Sequence, residues 1–311
     1  MYKKLLRIRK FEQKIQSSFL DGLVFGTTHL CIGQEAVSVG VVENLREDDY
    51  LTYTYRGHGP CIARGMDIEA ALAEIYGRET GVCGGLGGSM HLTDMELGLL
   101  GSFAIVGAGL PVAVGAAMTA KTRGKGQVSV TFFGDGSTNI GGFHESMNLA
   151  KVWNLPVIFV CENNLYGEYS PILRTTPYTD LVRRAEAYDM PAVQVDGNDV
   201  LAVYEAAGEA IERARSDGGP TFLECMTYRQ CGHSRSDPAK YRPEGELEKW
   251  LENDPIDSFK DWLLEREVFS AEDADGFENE VDQEIEEGAR RAKDAAWPED
   301  ADLTNKSIIT E

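Results

Sequence analysis

Over the first twenty residues the apolar positions Leu5, Leu6, Ile8, Phe11, Ile15 and Phe19 return at three- and four-residue intervals among Lys, Arg and Gln. That spacing predicts one amphipathic helix packed on a body that follows it. From Val128 a second rhythm takes over. Continuous apolar runs at Val128–Phe133, Pro156–Cys161, Ala192–Val195 and Thr221–Thr227 alternate with helical patterns at Phe143–Trp153, near Tyr178–Tyr188 and at Val200–Arg215. Strands that are apolar on both sides and separated by helices predict an α/β fold: a doubly wound, mostly parallel sheet with helices on both faces. Beyond Pro243 the pattern becomes acidic and helical, anchored by Trp250, Phe259, Trp262, Leu263 and Leu264. The expected organisation is a domain over residues 1–242 and a helical C-terminal tail over 243–311.

With 311 residues and 42% apolar content the chain can bury a sizeable core. Fifty-one acidic against 30 basic residues leave a net charge of −21, which argues against nucleic acid or an anionic membrane surface as the general partner. Any anion must therefore be held by a local site. Six cysteines lie scattered with no Cys-x-x-Cys pair, as expected of reduced thiols in a cytoplasmic protein. The N-terminal segment runs directly into the charged helix, so neither a signal peptide nor a membrane span is expected.

Candidate chemistry begins where the apolar run ending at Phe133 meets Gly134-Asp135-Gly136-Ser137-Thr138-Asn139, read as the opening of a helix. The next run ends in Cys161-Glu162-Asn163-Asn164-Leu165-Tyr166-Gly167, placing Asn164 29 positions after Asp135. Ligands of such sheets sit at the carboxyl ends of strands, where a helix N-terminus favours phosphate. Alone, Gly-Asp-Gly and Asn-Asn are ordinary turn signals. In the order strand, Gly-Asp-Gly, helix, strand, Asn-Asn they form a thiamine diphosphate fingerprint. A dinucleotide site is disfavoured, because the third glycine is missing and the carboxylate lies inside the turn.

Six segments together resemble the alpha subunits of the pyruvate, branched-chain 2-oxo acid and acetoin dehydrogenases. They are Thr28-His29-Leu30 with Gly33-Gln34-Glu35-Ala36; Tyr55-Arg56-Gly57-His58-Gly59; Gly87-Gly88-Ser89-Met90-His91; Ile105-Val106-Gly107; the fingerprint; and Thr227 through Pro238, which includes Arg229 and Gly232-His233-Ser234. The resemblance implies magnesium held by Asp135, the side-chain oxygen of Asn164 and the Tyr166 carbonyl. It implies a diphosphate contacted by Tyr55, Arg56, Arg229, His233 and the amides of Gly136 and Ser137, and an aminopyrimidine ring along the backbone from Ala104 to Val106. His29 and His233 match positions near the reacting carbon, whereas His144 reads as packing on its helix. The sequence departs from the family at Ala104, usually glycine; at Leu86, commonly basic; at Gln230-Cys231, usually aromatic; and at Glu168, often apolar and facing the cofactor.

The implied activity is cleavage of a 2-oxo acid or acetoin with transfer of the acyl group to a lipoyl carrier. In this family a glutamate on a separate beta subunit activates the cofactor. Of the candidates in this chain, Glu35 lies in a helix-start pattern and Glu145 on a helix, so both read as structural. The resemblance thus implies an alpha-two, beta-two heterotetramer feeding a lipoyl-bearing acyltransferase. The glycine-dense stretch from Gly77 to Gly109 reads as backbone brought close to a ligand or to partner subunits. Two other readings remain open: half of a nonoxidative thiamine-dependent lyase or transferase, and a catalytically silent scaffold subunit.

Overall fold

The computed structural model describes residues 1–299. In chain order the elements are α1 (Tyr2–Leu20), α2 (Glu35–Val42), β1 (Tyr50–Thr54), α3 (His58–Arg64), α4 (Ile68–Ile75), β2 (Leu99–Phe103), α5 (Gly109–Arg123) and β3 (Ser129–Gly134). A 3-10 turn, Asp135–Asn139, leads to α6 (Gly141–Val152), β4 (Val157–Asn163), the two-residue strands β5 (Tyr166–Gly167) and β6 (Ser170–Pro171), α7 (Ile172–Thr175) and α8 (Val182–Glu186). Then come β7 (Ala192–Asp196), α9 (Val200–Arg215), β8 (Thr221–Met226), α10 (Glu246–Leu251), α11 (Pro255–Glu265) and α12 (Ala271–Asp294).

Six strands form one sheet in the order β2-β1-β3-β4-β8-β7, and every pair is parallel. Alternate residues of the central strands feed opposite cores. Val130, Phe132, Ile158, Val160, Leu223 and Cys225 join the core under α1, α2 and α9, while Phe133, Val157, Phe159, Cys161 and Phe222 join the one under α5 and α6. Both faces are therefore covered, as continuous apolar strands require. The chain moves one way from β1 to β2 and the other way from β3 to β4, so a crevice opens at the carboxyl ends of β1 and β3.

Helix α1 buries Leu5, Leu6, Ile8, Phe11 and Ile15, the predicted stripe, against this body. Its basic face pairs with the acidic face of α12 through Lys3–Glu280, Arg7–Glu284, Lys10–Asp282 and Lys14–Glu286. Such part-exposed pairs are worth about 0–1 kcal/mol each. The buried stripe carries more: Phe11→Ala alone should cost about 3–5 kcal/mol. Ile256, Phe259, Leu263, Val281 and Ile285 of α11 and α12 belong to the same core as α1. The last part of the expected tail, residues 300–311, lies outside the described residues.

The structure departs from the sequence reading in three local ways. The helix expected near Tyr178–Tyr188 shrinks to Val182–Glu186, because Leu181 N–H instead donates to the buried Glu224 carboxylate at 3.0 Å. The fingerprint opens a 3-10 turn, and the α-helix starts only at Gly141. Strand β7 is an edge strand with mostly exposed side chains.

The glycine-dense stretch also has an internal cause. Glu74, fully buried on α4, accepts backbone N–H from Cys83 at 2.7 Å, Gly85 at 2.8 Å, Gly87 at 2.7 Å and Gly88 at 3.0 Å. A Cβ at Gly85 would come within 2.5 Å of the Arg78 carbonyl, so the loop around this carboxylate closes only with glycine there.

Candidate active site

The carboxyl ends of β1, β3, β4 and β8 enclose a cavity of about 460 Å³. It is lined by Tyr55, Arg56, Ala104, Val106, Asp135, Gly136, Ser137, Asn164, Tyr166, Arg229 and both predicted histidines, His29 and His233. Every site residue named from the sequence thus reaches one chamber. Gly136 and Gly167 permit the closure: a Cβ on Gly136 would stand 3.3 Å from the Gly167 Cα, closer than side-chain carbons ordinarily approach backbone.

Two features of this chamber are electrostatically incomplete. Arg56 and Arg229 are both buried, and neither forms an ion pair among the described residues. Arg56 donates to the Leu30 carbonyl at 2.6 Å and the His233 carbonyl at 2.9 Å; Arg229 donates to the Glu168 carbonyl and to the Tyr241 hydroxyl, each at 3.0 Å. Burial, followed by the proximity of Arg56, lowers the Arg229 guanidinium to about 10. Two buried cations without counter-ions mark a site built for an anion, and guanidinium planes suit phosphate oxygens.

The opposite defect lies beside them. Asp135 is 2% exposed, and neither carboxylate oxygen has a hydrogen-bond partner among the described residues. Burial pushes it up to about 6. Asn164 donates its amide to Gln34 Oε1 at 3.2 Å, leaving its own oxygen with only a long 3.4 Å bond from Tyr166 N–H. A buried, unpartnered carboxylate and an under-used amide oxygen on adjacent loops fit a hard cation. No group of three or more His, Cys, Asp or Glu residues arranged for a metal occurs among the described residues. A cation here therefore depends on one carboxylate, neutral oxygens and the anion it accompanies.

His29, Tyr55 and His233 form an aromatic wall, with centroids 4.4 Å apart for His29 and Tyr55 and 4.9 Å for the two histidines. Burial and Arg56 lower His29 to about 3, and burial, Arg56 and Arg229 lower His233 to about 4, so both are neutral at physiological pH. Arg229 stands 3.1 Å from His233 Nδ1; an arginine can only donate, so the His233 proton belongs on Nε2. His29 Nδ1 is buried and has no partner among the described residues. The His233 loop is held by Asp237, which accepts from His233 N–H at 2.6 Å and the Tyr241 hydroxyl at 2.9 Å.

Several contributors escaped the sequence reading. Glu162, at the end of β4, lines the cavity and is raised by burial to about 7. Gln34 orients Asn164. Glu246, from the tail, accepts from both Tyr166 and Tyr228 hydroxyls at 2.7 Å. Gln34 and Glu162 were within reach, since they stand inside the quoted motifs; Glu246 carries no local signal. His144 bonds Tyr188 at 2.7 Å and touches Phe143, away from the cavity. Glu35 is held by Arg9 and by Gly33 N–H at 2.9 Å, and Glu145 is exposed on α6.

The chain belongs to the dehydrogenase E1 component family, whose description matches residues 3–300, and it is thereby an alpha-type component of a thiamine diphosphate-dependent oxidoreductase. Among its relatives, the alpha subunit of the Bacillus subtilis acetoin:2,6-dichlorophenolindophenol oxidoreductase is 48% identical across all of this chain and 93% of its own length. The corresponding Cupriavidus necator subunit is 45% identical over the same shares. The pyruvate dehydrogenase E1 component alpha subunit of Rhizobium meliloti is 40% identical over 99% of this chain and 89% of its own length.

Proposed function

We propose that this chain binds the magnesium diphosphate half of thiamine diphosphate and, with a beta subunit in an alpha-two, beta-two assembly, cleaves a 2-oxo acid or acetoin for delivery to a lipoyl-bearing acyltransferase. One juxtaposition carries the reading: two buried arginines without counter-ions among the described residues, beside a buried aspartate without a partner among them. Each defect is what the other half of a metal diphosphate would cure. Asp135, the Asn164 side-chain oxygen and the Tyr166 carbonyl would hold magnesium. Arg56, Arg229, Tyr55, His233 and the amides of Gly136 and Ser137 would hold the diphosphate, with Ala104 to Val106 along the pyrimidine.

When bound, thiamine diphosphate supplies the nucleophilic carbon and the electron sink. The residues of this chain position it and manage protons. The neutral His29 ring lines the cavity with its Nδ1 free among the described residues, and His233 Nε2 carries a proton it can donate. We take residues 1–242 as the cofactor-binding domain and 243–311 as a C-terminal tail, whose described part, residues 243–299, braces that domain. No helix among the described residues is long and apolar enough to cross a membrane; we place the assembly in the cytoplasm, where six unbridged thiols are chemically at home.

The test is co-expression with the candidate beta chain, followed by calorimetric titration with magnesium and thiamine diphosphate and by turnover of acetoin and 2-oxo acids with an artificial electron acceptor. Saturable binding that is lost in Asp135→Ala, with turnover only in the two-chain complex, is the expected result. Robust turnover by this chain alone would assign cofactor activation to a carboxylate within it, such as Glu162, and would end the two-subunit reading.

A further inference from the structure

Three carboxylates line the cofactor cavity: Asp135, Glu162 and Glu168. The first two are buried at strand ends, but Glu168 occupies the tip of the β5–β6 hairpin and is exposed. Gly167 pairs with Ser170, so Glu168 and Tyr169 form a two-residue turn, and Glu168 is its first member with φ +56°. A left-handed backbone at the first position of such a turn is ordinarily the place of glycine. Glutamate there retains a strained backbone while adding a charge beside the cavity, which points to a use for the side chain.

The surroundings leave that charge uncompensated. Arg229 donates to the Glu168 carbonyl at 3.0 Å and makes no ion pair with its carboxylate. Among the described residues the Glu168 side chain has neither a salt bridge nor a hydrogen bond, and its only bonded atom is that backbone oxygen. Arg229 and Arg56 are buried on backbone carbonyls and, in the proposed complex, are matched by the diphosphate. Beyond the hairpin tip, Tyr169 lies 6.0 Å from the His233 ring, so the turn belongs to the wall that carries the proton-managing histidines.

We propose that Glu168 is a specificity-determining residue: its carboxylate selects against anionic 2-oxo acids and favours uncharged α-hydroxyketones such as acetoin. The inference rests on the thiamine diphosphate reading of the cavity and deepens it. The two substrate classes differ at the group beside the carbonyl that is attacked, a carboxylate in one and a hydroxyalkyl in the other. A like charge within about 10 Å, in an effective dielectric near 20, disfavours an anion on the order of tenfold or more. The neutral ketone is indifferent to it.

The experiment uses the cofactor-loaded complex with beta chain, with kcat/KM measured for acetoin and for pyruvate in the parent, Glu168→Gln and Glu168→Asp. Glutamine keeps the size and the left-handed backbone but removes the charge; aspartate keeps the charge. The pyruvate-to-acetoin ratio should rise about tenfold or more in Glu168→Gln, stay near the parental value in Glu168→Asp, and rise with ionic strength more steeply in the parent than in Glu168→Gln. A merely structural role would move both substrates together and show no difference in salt response. A ratio equal in parent and glutamine variant overturns the inference while acetoin turnover still supports the cofactor site. A complex that binds no thiamine diphosphate overturns both readings.

Discussion

Replacing Asp135 by asparagine should weaken binding of the cofactor and at the same time strengthen the cofactor-free fold as pH rises. The carboxyl is buried, and burial lifts it from the ordinary 3.8 to about 6. A raised carboxylate binds its proton more tightly when folded, so the stability it contributes is complete below about pH 4 and is lost as pH climbs through 6. At about 1.4 kcal/mol per pH unit, that loss comes to about 3 kcal/mol per alpha chain by pH 8. The amide of the variant has no such titration. The unfolding free energy of the cofactor-free complex, measured from pH 4.5 to 8 for parent and Asp135→Asn, should therefore diverge in favour of the variant by about 2 kcal/mol, the part of that loss that falls above pH 4.5. Any constant cost of the amide cancels in the pH dependence, as do the opposing histidine titrations, which both proteins share. Magnesium and thiamine diphosphate should then reverse the order, stabilising the parent by RT ln(1 + [L]/Kd) and the variant hardly at all. Parallel pH curves for the two proteins would show that Asp135 is not a desolvated carboxylate awaiting a cation.

Arg229→Gln should lower cofactor affinity on the order of a hundredfold, as expected when a buried charge-assisted phosphate contact is lost, and calorimetry on the complex checks it; an unchanged affinity refutes the role. His29→Gln and His233→Gln should each make the cofactor-free complex more resistant to mild acid, because both imidazoles are held neutral and their folded-state stability falls away as pH drops below 6.5. Thermal midpoints at pH 5 and pH 7 test this, and equal shifts at both values would contradict it. Glu74→Gln leaves one pair of loop amides without an acceptor and should cost about 2–4 kcal/mol, with faster limited proteolysis between residues 81 and 91; an unaltered cleavage rate there would disprove the clamp.

Much of this architecture was legible because its burial is periodic. Helices α1 and α9 show one apolar stripe each, and β3, β4 and β8 are apolar on both sides, so both kinds of element stand out before any pairing is known. Strands β1 and β2 do not. Tyr50–Thr54 and Leu99–Phe103 contain Thr, Tyr, Ser and Gly, and become strands through parallel pairing with each other and, for β1, with Ser129–Thr131. Helix α2 is buried all round, which erases its period. At the site, residues inside contiguous motifs were readable. A part supplied by a distant segment, Glu246 beneath Tyr166, exists only once the tail has folded back.

The pairing of α1 with α12 also bears on how the chain is made. Lys3 meets Glu280 across 277 positions, and Leu5, Ile8, Phe11 and Ile15 share a core with Val281 and Ile285. Helix α1, made long before α12, is thus covered on that side only late in synthesis. At about 5–20 residues per second its apolar stripe waits on the order of tens of seconds for α12, a long exposure for a nascent surface. Lys3, Lys4, Arg7, Lys10 and Lys14 keep the helix soluble in the meantime, so charge on α1 serves synthesis as much as the finished fold.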